Sequence, residues 1–95
     1  MLEQNLAFQV AELFSALSDA SRVRIISALA KHEMNVGDLS KATGLGESAV
    51  SHHLRHLRQM RLVRTRREGR YVFYALHDDH VVQLFEYGLM HVQHD

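Results

Sequence analysis

Four side chains near the end of the chain offer metal chemistry: Asp78, His80, His91 and His94. Three neutral imidazoles and one carboxylate make a closed tetrahedral shell, the kind that holds zinc without an open catalytic position. A nitrogen and oxygen set also suits cobalt(II) or nickel(II) better than ions that favour sulfur. Their spacing sets a condition on how such a shell closes. On a helix turning about 100° per residue, His80 and His91 point within roughly 20° of each other, with His94 on the same side. At a rise of about 1.5 Å per residue, the two ends of the set are roughly 16 Å apart, whereas a zinc ion needs every nitrogen within about 2.1 Å. One copy of the helix cannot close the shell with both ends. Two copies packed antiparallel about a two-fold axis bring Asp78 and His80 of one chain beside His91 and His94 of the other, and symmetry makes two equivalent sites.

A second set of residues has the opposite charge. Between Ser48 and Arg70 lie Arg55, Arg58, Arg61, Arg64, Arg66, Arg67 and Arg70 against the single acid Glu68, so this window carries +6 and the remainder −6. From His77 to Asp95 there are four acids and no Lys or Arg. A net charge of zero thus hides a polyanion-binding middle and a cation-binding end.

Composition narrows the classes further. The 95 residues, 46% hydrophobic and 23% charged, suit one small soluble domain spanning 1–95. A chain of this size leaves much surface uncovered, so a dimer seam would complete its core. There is no cysteine, which removes disulfides, thiol redox chemistry and thiolate metal sites. No apolar run approaches the ~18 residues of a membrane span. Met1-Leu2-Glu3-Gln4-Asn5 shows no targeting pattern, and the reading is a cytoplasmic protein.

The elements that position these residues follow from periodicity. Leu6, Val10, Leu13, Phe14 and Leu17 recur at spacings of three and four, predicting an amphipathic helix from about Glu3 to Leu17. Ser18-Asp19-Ala20-Ser21 supplies caps for a second helix reaching about His32. Asn35 and Gly44 frame a short third helix with Val36, Leu39 and Ala42 inward. After Gly44-Leu45-Gly46, a fourth helix runs from Glu47 to Arg61. Its Val50, Leu54 and Leu57 lie within about 40° of one another, opposite Ser48, His52, Arg55 and His56, with Ser51 at the flank. Short helix, glycine turn and second helix form a helix-turn-helix, whose exposed face fits the DNA major groove.

Leu62 to Arg67 and Tyr71 to Leu76 then read as a β-hairpin turning at Glu68-Gly69-Arg70. Arg64 and Arg66 face away from Val63, with Arg67 and Arg70 at the tip, so the hairpin is a wing that grips phosphates without reading sequence. A last helix starts near Asp79, which is expected to cap it. His32 and His77 are further candidates to weigh, His77 as a substitute for His80 if the last helix begins earlier, and His52, His53 and His56 lie on the DNA-reading helix as groove contacts or packing. The expected fold is mainly α with a β-hairpin wing, α-α-α-α-β-β-α, dimeric through its terminal helices.

In this order the elements resemble the winged-helix repressors of the ArsR/SmtB family, from about Ala11 to His94. The resemblance rests on Leu13-Phe14-Ser15-Ala16-Leu17-Ser18-Asp19-Ala20-Ser21-Arg22, on Val50-Ser51-His52-His53-Leu54-Arg55-His56-Leu57, and on Leu62-Val63 with Arg67-Glu68-Gly69-Arg70. It implies a homodimer that represses transcription on operator DNA and releases it when an inducer, often a metal ion, binds. The family's cysteine site is absent, because Asn35-Val36-Gly37-Asp38 stands there. The Asp-x-His and His-x-x-His pattern of another subgroup is matched by Asp78, His80, His91 and His94. That subgroup implies Zn(II), or Co(II), as inducer of metal-export or resistance genes. Nickel-preferring relatives add ligands, and Met1 to Asn5 hold no His, so Ni(II) ranks third. The alternative is a winged-helix repressor answering to Ni(II) or a non-metal inducer, its histidines structural. No enzymatic activity is expected, since a closed shell leaves no vacant position and no nucleophile lies beside it.

Overall fold

The computed structural model describes residues 1–94. Five helices and one hairpin follow in order: α1 Gln4–Ala16, α2 Ala20–Leu29, α3 Val36–Thr43, α4 Glu47–Gln59, β1 Val63–Glu68, β2 Tyr71–Leu76 and α5 Asp79–Gln93. The fold is the winged helix-turn-helix that the periodicity predicts.

The core forms where α2, α3, α4 and the base of the hairpin meet. Ile25, Ile26, Leu29, Leu39, Val50, Leu54, Leu57, Leu62, Val63 and Leu76 are buried there together. Caps fix where the helices begin. The Asp19 carboxylate accepts from the Arg22 N–H at 3.1 Å, and Asn35 Oδ1 accepts from the Asp38 N–H at 2.8 Å, satisfying donors that a first turn leaves unpaired. Gly44, at φ 77°, ends α3 in the left-handed conformation that glycine adopts without a steric penalty.

Four local features depart from the sequence reading. Helix α2 stops at Leu29 rather than near His32, because the chain must turn to pair Met34 with Tyr74. That bridge is made in both directions, Met34 N–H to Tyr74 O at 3.0 Å and Tyr74 N–H to Met34 O at 2.8 Å. In α3 the inward residue is Thr43 and not Ala42, which is exposed; the Thr43 hydroxyl donates to the Leu39 carbonyl at 2.7 Å and is thereby satisfied while buried. The hairpin turns on Gly69 and Arg70 alone, with Glu68 opposite Tyr71 in the strands. A positive φ at Gly69 only is the pattern of a type II′ turn.

The fourth departure is the end of α4, at Gln59 rather than Arg61. Arg61 takes φ 60°, its N–H donates to Arg58 O at 3.0 Å, and the Leu62 N–H reaches back to Leu57 O at 2.9 Å. This pair of bonds is a Schellman cap, and buried Leu57 and Leu62 supply the apolar contact that goes with it. An arginine occupies the position that glycine usually holds.

The two terminal helices are poorly covered. Only Ala16 of α1 and Val81 of α5 are buried. Phe8, Phe14, Tyr87, Met90 and Val92 are all more than half exposed.

A left-handed residue other than glycine costs about 1–2 kcal/mol, and glycine returns part of that through its freer unfolded chain. Arg61→Gly is therefore expected to raise unfolding stability by roughly 0.5–1 kcal/mol in urea titrations, and Arg61→Val to lower it. A Gly variant less stable than the parent would show that the arginine side chain itself holds this turn.

Candidate nucleic-acid interface and metal ligands

Burial of Val50, Leu54 and Leu57, each 1% exposed or less, fixes the rotation of α4. Ser48, Ser51, His52, Arg55 and His56 consequently all lie exposed. The helix starts at Gly46 with no side-chain cap, which leaves first-turn N–H groups open to an anion. His53, by contrast, is half-buried, packs edge-on against His52 at 5.9 Å, and has a buried Nδ1 without a hydrogen-bond partner; it belongs to the packing.

On the hairpin, Arg64, Arg67 and Arg70 are exposed, and Arg70 lies 5.5 Å above the Tyr71 ring. Arg66 is differently placed. Its Nε and Nη2 donate to the two carboxylate oxygens of Glu33, at 3.2 and 2.5 Å, and its Nη1 donates to Glu68 at 2.5 Å. The hydrogen bond from Arg66, and then its charge with that of Arg64, hold the Glu33 carboxyl below its ordinary range against a smaller desolvation effect. Nothing in the local sequence signals this link, which spans 33 positions. Arg22 is also engaged: its Nε donates to the Ala16 carbonyl at 2.5 Å and closes the end of α1, so it is a capping group.

The metal-ligand candidates divide as the helical rise requires. At the start of α5, Asp78 is the cap in place of Asp79: its Oδ1 accepts from the Val81 N–H at 3.2 Å. Its other oxygen stands 3.3 Å from His80 Nδ1, and the His80 side chain is 91% exposed. Two donors about 2.0–2.1 Å from one tetrahedral ion are separated by about 3.3–3.4 Å, so this pair already has the spacing of adjacent corners of such a shell. Partial desolvation pushes the Asp78 carboxyl up, but the Val81 N–H, the His80 hydrogen bond and the nearby imidazole charges outweigh it and hold the group ionised, as a ligand must be.

At the far end His91 and His94 are both exposed. The helix closes at Gln93, and His94 has left it, with φ −79° and ψ 130°. Among the described residues no three His, Asp or Glu side chains gather around one point. His32 turns to the Glu33 carbonyl at 3.0 Å and His77 is half-buried; neither joins either pair. The Leu62 carbonyl accepts the His77 N–H at 2.9 Å, tying the end of α4 to the residue before Asp78.

Between the two donor pairs runs an apolar groove of about 410 Å³, lined by Phe14, Leu17, Val23, Phe85, Leu89 and Val92 among others. No helix is long and apolar enough to cross a membrane among the described residues.

A helix-turn-helix with an arginine-bearing wing is the architecture of a bacterial transcription regulator, and the comparisons agree. The profile described as "Bacterial regulatory protein, arsR family" matches residues 19–65. The chain is 54% identical over 87 residues to a transcriptional repressor SmtB homolog of Synechocystis, covering 92% of this chain and 66% of that protein, just under two thirds of its length. It is 42% identical over 93 residues to the transcriptional regulator NmtR of Mycobacterium tuberculosis, covering 98% and 78%, and 40% identical over 83 residues to a cadmium resistance regulatory protein CadC homolog of Staphylococcus aureus, covering 86% and 69%. The solution structure of apo-NmtR matches with a TM-score of 0.84 and 41% identity, over 100% of this chain and 80% of that one. A homodimeric winged helix-turn-helix DNA-binding domain from Mycobacterium bovis matches with a TM-score of 0.86 and 31% identity, over 97% and 90%. The chain belongs to the arsR family.

Because the carboxyl of Glu33 titrates low when folded, its pairing stabilises the fold above the ordinary value of 4.5 and that contribution is lost as pH falls through the lowered value. Side-chain NMR through an acid titration is expected to show Glu33 titrating below 4.5 in the parent and near it in Arg66→Ala. An unchanged Glu33 titration in the variant would remove Arg66 as the cause.

Proposed function

We propose that the protein is a metal-responsive repressor: a homodimer that binds operator DNA when metal-free and lets go when Zn(II), or Co(II), occupies two symmetry-related sites between the subunits. The observation that carries this reading is on α5, where a bare apolar face lies between two donor pairs, neither of which closes a shell within its own chain. The occupant that answers both deficits is a second copy laid antiparallel. Its α5 covers the groove, and its His91 and His94 complete the shell begun by Asp78 and His80. A solved neighbour of the same fold that is homodimeric supports a dimer.

In the metal-free dimer the two α4 helices would meet successive major grooves about 34–36 Å apart on a near-palindromic operator. Ser48, Ser51, His52, Arg55 and His56 face the bases, and Arg64, Arg67 and Arg70 face the phosphates to either side. Asp78 and His80 of one chain with His91 and His94 of the other would hold the ion, which would supply a positive charge shared between the two chains. Asp78 then holds its cap with one oxygen and turns the other to the site, and the Leu62–His77 bond couples the start of α5 to the end of α4. A dimer stiffened in this way no longer matches the groove spacing. By reciprocity DNA weakens metal binding by the factor with which metal weakens DNA. The donor set ranks zinc first, cobalt second and nickel third, and the DNA target places the protein in the cytoplasm. Control of metal-export or resistance genes is the corresponding role, and a relative named for cadmium resistance supports it.

Fluorescence anisotropy on promoter DNA tests the proposal. Zinc is expected to release the parent protein and a chelator to restore binding, while His91→Ala binds DNA as the parent does and ignores zinc. Binding that zinc leaves unchanged in the parent would retire zinc as the inducer and move the test to cobalt and nickel, whose failure in turn would retire the metal reading; loss of DNA binding in His91→Ala would make that histidine structural.

A further inference from the structure

Arg66 stands apart from the other arginines of the wing. Its guanidinium makes a two-bond fork with Glu33, a third bond to Glu68, and lies 4.9 Å from the centre of the Phe73 ring directly across the strand pair. Two carboxylates thus surround one guanidinium. No carboxylate among the described residues lies within ion-pair distance of Arg64, Arg67 or Arg70. A phosphate would have to displace both acids before it took Arg66, whereas it would meet the other three directly.

The position of Glu33 gives the arrangement a consequence. It lies in the connection between α2 and α3, immediately before Met34, whose backbone is paired in both directions with Tyr74 of β2. The Glu33–Arg66 fork grips β1 at the same corner. One connection therefore holds both strands of the hairpin, one through backbone bonds and one through a planar side-chain fork.

We infer that Arg66 is a positioning residue and not a phosphate contact: with Glu33 it sets the angle at which the wing leaves the core, and so where Arg67 and Arg70 meet the DNA backbone. The inference rests on the operator-binding reading above. Its effect is geometric, since an exposed, solvent-screened pair adds little to stability. A guanidinium bonded through two parallel N–H groups fixes direction as well as distance, which a lysine ammonium cannot do.

The test is operator binding by the full chain over a salt series, together with amide exchange by NMR in the absence of DNA. Each phosphate contact contributes about 0.9 to the slope of log affinity against log salt. In a dimer, Arg67→Gln or Arg70→Gln is thus expected to flatten the slope by roughly two. Arg66→Gln, Arg66→Lys and Glu33→Gln are each expected to weaken binding roughly two- to tenfold with the slope unchanged. Without DNA, Glu33→Gln and Arg66→Gln are expected to speed exchange of the Met34 and Tyr74 amides alike. The inference is overturned if Arg66→Gln flattens the slope as Arg67→Gln does, if Arg66→Lys binds as the parent does, or if Glu33→Gln binds more tightly because it frees an arginine for DNA. Unchanged exchange in both variants overturns it as well. A parent protein that binds operator DNA with no salt dependence would sink the operator reading instead, and the exchange data would then decide the strut alone.

Discussion

The rotation of α4 about its own axis is the constraint on which the rest depends. Val50, Leu54 and Leu57 sit in the centre of the core, between α2, α3 and the base of the hairpin. Uncovering any of these side chains costs a few kcal/mol, enough to hold the helix at one angle. That angle determines which side chains reach outward, and it sets the line along which Leu62 and Val63 start the wing. The Schellman cap converts the end of the reading helix into the start of β1 within three residues, Met60, Arg61 and Leu62, with buried Leu57 and Leu62 anchoring the two ends of the turn. Reading helix and wing are therefore joined by a defined turn, not by a free linker.

The terminal helices answer a different constraint. A helix of this length holds its two ends too far apart for one metal ion, and the same helix exposes an apolar face that the chain does not cover. Either fact alone has an ordinary explanation, since exposed histidines and exposed leucines are both common on protein surfaces. Their occurrence together on one helix, with the apolar groove running along the length between the two ends, is what supports the reading. In the proposed reading one antiparallel second copy would answer both, its apolar face supplying association energy and the donor pairs acting as a switch on the dimer's geometry.

Much of this was legible in the residues. Apolar spacing located every helix and both strands, and the sign change between the arginine-rich middle and the acidic end separated two functions. What stayed hidden depended on tertiary partners or on local rules with exceptions. Thr43, seven residues after Val36 and four after Leu39, lies within the inward stripe of α3 while Ala42 lies off it; its polar side chain masked this, and the hydroxyl bond to the Leu39 carbonyl is what lets it be buried. Arg61 carries no glycine signal for a left-handed cap; the Leu57 and Leu62 pair was the only local hint. The Met34–Tyr74 bridge and the Glu33–Arg66 fork join segments far apart in sequence. Asp78 is the cap in place of Asp79 because α5 begins at Asp79, one residue earlier than a cap there would allow, and the Asp78 Oδ1 accepts from the Val81 N–H three residues on. Asp78 and His80 stand together at the start of α5, and His91 and His94 lie exposed at its far end.

The central claim is that each metal shell is built by two chains. It is tested most directly by mixing two variants, one Asp78→Asn/His80→Ala, which keeps a capping side chain, and one His91→Ala/His94→Ala, and measuring zinc bound at equilibrium. Each variant alone is expected to bind no zinc tightly. In mixed dimers one site loses all four ligands and the other regains all four, so the mixture is expected to recover tight binding at one ion per mixed dimer. A mixture that binds no better than its components would contradict a shared shell and place any metal site within a single chain.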